Sequence, residues 1–138
     1  MTSVTHNEAR EAIYTRFVAN LPSALGSNYT FANEKYSPPD STLWARLTVN
    51  HEAGEQDSLG KVGDRKFLRR GRVLIQIFGP VDSGLRALDL VADAVRDIFE
   101  GVSFDGLYFF SSDIREGSND GEWFQIIVDA PFFYSETK

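Results

Sequence analysis

The sequence has 138 residues, of which 42% are hydrophobic and 13% aromatic, with a formal net charge of -6 and no cysteine. This length and apolar content predict one domain, and the lack of cysteine excludes disulfides, thiolate metal sites and cysteine nucleophiles, as is typical of synthesis in a reducing cytoplasm. The negative charge disfavours binding by neutralisation of nucleic-acid phosphates, although it is compatible with DNA passing nearby.

The first predicted element is an amphipathic helix over about residues 6 to 20. Thr5 and Glu8 have the spacing of a capping box, and apolar residues then recur every four positions. Residues 28 to 35 are aromatic and polar without strict alternation. They predict a short edge strand, which ends in the proline-containing turn at residues 37 to 40.

A strand and a long loop are predicted next. Residues 43 to 50 alternate between apolar and polar side chains, which is the period-two pattern of a half-buried strand. The stretch from 51 to 66 contains three glycines, charges of both signs and only Leu59 and Val62 as larger apolar groups. Because it cannot bury enough apolar surface to be ordered by itself, we expect a mobile loop there.

The longest strand signal covers residues 67 to 78, which are rich in arginine in the first half and apolar in the second. The second half is predicted to be buried on both faces of the sheet. A second amphipathic helix follows Gly79 and Pro80, with Asp82 or Ser83 as its N-cap.

The last part of the chain is predicted to form a hairpin. Residues 104 to 114 indicate one strand or a broken pair, residues 119 to 121 (Asn-Asp-Gly) a tight turn, and residues 123 to 134 a final strand. The whole order predicts an α+β fold over residues 1 to 138 as a single domain. We expect a mainly antiparallel or mixed sheet of about five strands, with two helices packed on one face.

Residue types used in catalysis and metal binding do not cluster in the sequence. The only two histidines, His6 and His51, are predicted to be solvated polar residues rather than bases or ligands. The acidic residues between 113 and 122 lack the spacing of a calcium loop. No window approaches the roughly 18 uncharged apolar residues of a membrane span. The sequence therefore predicts no enzyme activity, cofactor, metal or membrane partner.

One basic cluster lies where the predicted loop becomes a strand. It is either a solvated edge strand protected from aggregation by charge, or an electrostatic contact to an acidic partner or a neighbouring subunit. On the second interpretation, Arg70→Glu or Arg72→Glu should weaken assembly without lowering stability, because surface substitutions usually cost less than about 0.5 kcal/mol. The cluster comprises Arg65, Lys66, Arg69, Arg70 and Arg72.

The order and pattern of these elements resemble the tail terminator family of siphophages, typified by the lambda terminator, from about Glu8 to Tyr134. The matching segments are the strand at 44 to 49, the arginine-led strand at 70 to 77, and the ending at 121 to 128. The resemblance implies a non-enzymatic virion protein that forms a homohexameric ring on the tail tube, stops tube polymerisation and presents a surface to the head-tail connector.

The same resemblance implies a place at the head-proximal end of the tail, after assembly in the host cytoplasm and without sequence-specific binding of nucleic acid. The candidates for contact with a neighbouring subunit or with the tube protein are Arg65, Arg69, Arg70 and Arg72, with Leu59 and Val62 as apolar anchors. The candidates for an acidic channel lining, along which DNA would slide because of like charge, are Glu52, Glu55 and Asp57. Another phage head-tail joining or tube-like protein is the main alternative, and a small α+β ligand-binding protein is a remote one.

Overall fold

The computed structural model describes residues 3 to 138, which form two helices and one mixed sheet of seven strands. The predicted α+β class with two helices is confirmed. The sheet is larger than the five strands expected, because the segment after the second helix forms three short strands. In chain order the elements are α1 (His6–Ala19), β1 (Tyr29–Phe31), β2 (Trp44–Gln56), β3 (Lys66–Pro80), α2 (Arg86–Phe99), β4 (Ser103–Phe104), β5 (Leu107–Phe109), β6 (Asp113–Asn119) and β7 (Trp123–Thr137).

The start of α1 was predicted correctly, and the start of α2 was not. In α1 the hydroxyl of Thr5 accepts a hydrogen bond from the Glu8 amide at 3.2 Å, and the Glu8 carboxylate accepts one from the Thr5 amide at 2.9 Å. The N-cap of α2 is Leu85, which makes no side-chain cap. The expected cap Ser83 instead donates to the carbonyl of Pro80 at 2.6 Å, so the turn before the helix uses its hydroxyl.

The sheet has the strand order β1-β2-β3-β7-β5-β4, and β6 also pairs with β7. Only β1 runs parallel to its neighbour β2, and the other pairs are antiparallel. The central pair, β3 and β7, stays in register from Lys66 opposite Thr137 to Pro80 opposite Trp123. This long ladder fixes the two longest strands against each other and carries the rest of the sheet.

The core lies between the helices and one face of the sheet. Alternate residues of β2, β3 and β7 point to that face, where they form one cluster with the buried side chains of both helices. On the opposite face, Leu74 and Gln76 are only half-buried, so the expectation that β3 is buried on both faces is wrong for that face. A small aromatic cluster of Trp44, Phe78 and Trp123 covers one end of it.

The predicted loop of residues 51 to 66 is much shorter in the structure. Residues 51 to 56 continue β2 and pair with β3 beyond a register shift between His51 and Gly54. Only residues 57 to 65 connect the two strands. Residues 51 to 56 are ordered by their pairing with β3, which a sequence window cannot reveal, although residues 52 to 56 remain exposed. No helix between residues 3 and 138 is long and apolar enough to cross a membrane.

Candidate interaction surface

The most distinctive surface is the end of the long hairpin made by β2 and β3. We call residues 57 to 65, which join these strands, the hairpin tip. At its base the amide of Asp57 donates to the carbonyl of Lys66 at 2.7 Å, and Arg65 exchanges two backbone hydrogen bonds with Lys138 at 2.9 and 3.3 Å. The tip is therefore fastened to the ends of both β3 and β7.

An ion-pair network lies on the open face of the sheet behind the tip. Arg72 Nη1 donates to both carboxylate oxygens of Asp129 at 2.9 Å, and its Nε lies 3.3 Å from Glu52. Arg115 adds a second cation 3.4 Å from Asp129. The hydrogen bonds and negative charge of Asp129, followed by the charge of Glu52, raise the pKa of Arg72 above its ordinary value. Because the carboxylate of Asp129 is nearly buried, its partners are needed to compensate its charge.

The other predicted arginines are paired in the same way. Arg69 lies 3.2 Å from Glu136 on β7, and Arg70 lies 3.0 Å from Glu55 on β2. Two of the acids proposed for a DNA channel, Glu52 and Glu55, are thus partners of arginines proposed for a subunit interface. The two predicted sites therefore lie on the same hairpin, where acids of β2 neutralise arginines of β3. This weakens the case for an acidic channel lining on β2.

Asp129 was missed by the sequence analysis, although a signal was present. It is the one charged residue in the apolar run from Ile126 to Ala130, and a charge in a central strand usually needs a buried partner. An arginine of the basic cluster, which the sequence assigned to a partner surface instead, could have been considered as that partner. The pairing corrects the expectation that reversal of Arg72 would leave stability unchanged.

We expect Arg72→Ala to lower the free energy of unfolding by about 1 to 3 kcal/mol, because it leaves the buried Asp129 with Arg115 alone. The matched Arg70→Ala should cost less than about 0.5 kcal/mol, since Arg70 and Glu55 are both exposed. Urea unfolding followed by circular dichroism compares the two variants. Equal losses would contradict a specific role for the Arg72 network.

The two residues predicted as apolar anchors, Leu59 and Val62, are exposed to solvent on the hairpin tip. Leu59 is 94% exposed and Val62 is 81% exposed, so neither contributes to the core. Lys61 lies 3.9 Å from Asp64 in a solvated pair, which is worth little to stability. Arg65 is held by a hydrogen bond from its Nε to the carbonyl of Lys138 at 3.0 Å. The tip thus presents two aliphatic side chains on a fixed base.

The two histidines come together on the helix side of the sheet. His6 is exposed, as expected of a solvated residue, whereas His51 is half-buried, contrary to that expectation. Their rings stack with centroids 3.7 Å apart, at the start of α1 and at the bulge of β2. The ring nitrogens of His51 are buried, and neither has a hydrogen-bond partner among residues 3 to 138. Burial, followed by the charges of His6 and Arg10, lowers the pKa of His51 to about 4.

This depressed pKa makes stability depend on pH. His51 stays neutral in the folded chain, whereas in the unfolded chain it takes up a proton below its ordinary pKa of about 6.5. The stability that the neutral His51 ring gives to the folded chain is therefore complete above pH 6.5, and it is lost as the pH falls towards 4. We expect the free energy of unfolding to fall by about 1 to 3 kcal/mol over this pH range. Solvent around the partly exposed ring keeps the loss smaller than that of a fully buried histidine. The difference in unfolding free energy between the wild type and His51→Gln, measured from pH 7 to 4.5, should shrink accordingly. A constant difference would contradict the burial of a neutral ring.

An open pocket of about 470 Å³ adjoins this histidine pair, with Arg69, Tyr134 and Glu136 on its wall. The Arg69–Glu136 ion pair occupies one side of it. Within residues 3 to 138, no three His, Asp or Glu side chains come together in a way that could hold a metal ion. The exposed hairpin tip therefore remains the better-defined candidate for function.

Comparison with known proteins supports the fold. No family model matches the sequence, and no curated protein is similar to it. Sixteen chains of solved structures are similar. One of them, whose name states no function, is 19% identical and has a TM-score of 0.62, over 91% of this chain and 94% of that chain. At this identity the likeness describes the fold alone.

Proposed function

We propose that this protein is a tail terminator of a long-tailed bacteriophage, which forms a ring on the end of the tail tube, stops tube polymerisation and provides the surface for head attachment. The single observation that carries the proposal is the hairpin tip, where Leu59 and Val62 stand exposed at the end of a firmly paired ribbon. Exposed aliphatic groups on a fixed support are suited to contact with another protein.

The ion pairs along the hairpin fit this role. Because Arg69, Arg70 and Arg72 are paired with acids of the same chain, the ribbon can hold its shape before any partner arrives. A preorganised surface loses less conformational freedom on docking. Recognition would then depend on the tip rather than on the arms. The order of elements, which resembles that of the tail terminators, gives the proposal its particular form.

Electron microscopy of particles from a phage that lacks this gene tests the proposal. We expect overlong tails that carry no heads, because tube growth would have no stop and the connector no docking surface. Complementation with the wild-type gene should restore both tail length and head attachment. Tails of normal length joined to heads in the mutant would reject the proposed function, whereas normal tail length with loss of head attachment alone would indicate a head-tail joining protein.

A further inference from the structure

The pocket beside the histidine pair lies where the start of α1 meets the ends of β2, β3 and β7. Its volume of about 470 Å³ is typical of sites that take small ligands. The lining includes the N-cap of α1 and its first two residues, together with Tyr134 of β7 and Lys138 just after that strand. Several hydrogen-bond donors of this lining have no acceptor within residues 3 to 138.

Tyr134 is the most deeply buried of these residues. It is 1% exposed, and its ring packs edge-on against His51, with centroids 5.9 Å apart. The neighbouring Arg69 and Glu136 bond to each other at 3.2 Å, and no residue of the described chain bonds to the Tyr134 hydroxyl. Burial raises the pKa of Tyr134, so the hydroxyl keeps its proton and can donate. Because buried hydroxyls are almost always hydrogen-bonded, this one indicates an acceptor that enters the pocket.

The start of α1 adds two backbone donors. The capping box occupies the amides of Thr5 and Glu8, and the first bond within the helix comes from the amide of Ala9. The amides of His6 and Asn7 lie between them, and neither has an acceptor in the part of the chain that the structure describes. Free amides at a helix N-terminus carry partial positive charge, which favours an anion.

The charges of the lining leave one cation unpaired. Apart from the two histidines, each charged lining residue except Lys138 belongs to an ion pair: Arg69–Glu136, Arg70–Glu55 or Arg72–Glu52. The Lys138 ammonium lies 5.7 Å from the centre of the Phe67 ring, and among residues 3 to 138 no carboxylate pairs with it. The main-chain oxygen of Lys138 accepts from Arg65. The acids of the pocket are thus neutralised, and a positive charge remains for a ligand.

We propose that this pocket binds a small oxyanion, the phosphate or carboxylate group of a ligand. The anion accepts from the two free amides of α1 and from the Tyr134 hydroxyl, and the Lys138 ammonium balances its charge. Phosphate and carboxylate share this chemistry, since each presents several acceptor oxygens that carry negative charge. The inference stands apart from the proposed function, because none of these donors belongs to the hairpin tip.

Titration followed by amide nuclear magnetic resonance tests the site on the full chain. Sodium phosphate and sodium acetate are added separately at fixed pH and ionic strength, with sodium chloride as the balancing salt. We expect saturating shifts of the His6 and Asn7 amides with at least one of the two. Saturation with phosphate alone assigns a phosphate ligand, with acetate alone a carboxylate ligand, and with both the shared oxyanion chemistry. No saturation with either, or equal shifts with chloride, would overturn the proposal.

Tyr134→Phe removes the hydroxyl and keeps the ring. We expect the dissociation constant of the anion to rise about tenfold, because hydrogen bonds to charged groups are strong. Stability in urea should be unchanged, since the hydroxyl has no partner in the chain to lose. Tyr14→Phe makes the same change on α1 outside the pocket lining and should leave binding unaltered.

Lys138→Gln removes the unpaired charge from an exposed residue, so the fold should be unaffected. We expect the dissociation constant to rise about threefold, because the ammonium is solvated. Lys35→Gln makes the same change on an exposed lysine outside the lining and should have no effect. Unchanged affinity in both Tyr134→Phe and Lys138→Gln would reject the site. An equal loss in the Tyr14 and Lys35 variants would also reject it, since binding would then be nonspecific.

Discussion

Leu88→Ala should lower the free energy of unfolding by about 2 to 5 kcal/mol. Leu88 is 1% exposed in the first turn of α2, and its side chain lies against Gly79, where an added Cβ would be only 3.0 Å from Leu88 Cγ. Such close packing leaves little room for the surroundings to collapse into the space that a deleted side chain vacates. The loss should be visible as a lower midpoint in urea unfolding.

Leu90→Ala is the matched control, because it makes the same change two residues later on the same helix. Leu90 is largely exposed, so its removal should cost less than about 0.5 kcal/mol of stability. The pair therefore separates the core face of α2 from its exposed face. If both variants melted alike, the orientation of α2 on the sheet would be wrong.

Replacing residues 58 to 63 by a Gly-Ser segment of the same length should abolish restoration of normal tail length in the gene-deleted phage, while the isolated chain stays folded. The exposed side chains there add nothing to the core, and an equal loop length leaves the closure entropy almost unchanged, so the stability cost should stay below about 1 kcal/mol. Loss of Leu59 and Val62 removes the groups proposed to bind a partner.

Two controls frame this experiment. Val18→Ser removes an exposed aliphatic side chain elsewhere and should restore normal tails. Unfolding of the Gly-Ser variant, compared with the wild type, shows whether the chain remains intact. Normal tail length with the Gly-Ser variant would contradict the role of the hairpin tip, even if the fold is as described.

Local patterns predicted the helices and the long strands well. The capping box at Thr5 and Glu8, the alternation through β2 and the turn at residues 119 to 121 are all local, so a single sequence contains the information. The three short strands after α2 were harder, because β5 and β6 are held by pairing with β7, and β4 by pairing with β5, rather than by their own patterns.

The candidate site was predicted less well, for reasons of long-range pairing. Residues 51 to 56 are polar and glycine-containing, and nothing in their composition reveals that β3 stands opposite them. The acidic partners of Arg69, Arg70 and Arg72 are 15 to 67 residues away in sequence, as with Glu55 for Arg70 and Glu136 for Arg69. Composition could identify the charges but not their pairing. It did identify Leu59 and Val62, since aliphatic residues isolated among glycines and charges have no local partners.

The most direct measurement of the central claim is the position of this protein on tubes grown from the major tail protein of the same phage. Purified chain carrying a gold label would be added during polymerisation and the tubes imaged by electron microscopy. We predict label at one end of each tube and a mean tube length that falls as more chain is added. Label distributed along the tubes, or a tube length that does not respond to the chain, would contradict termination.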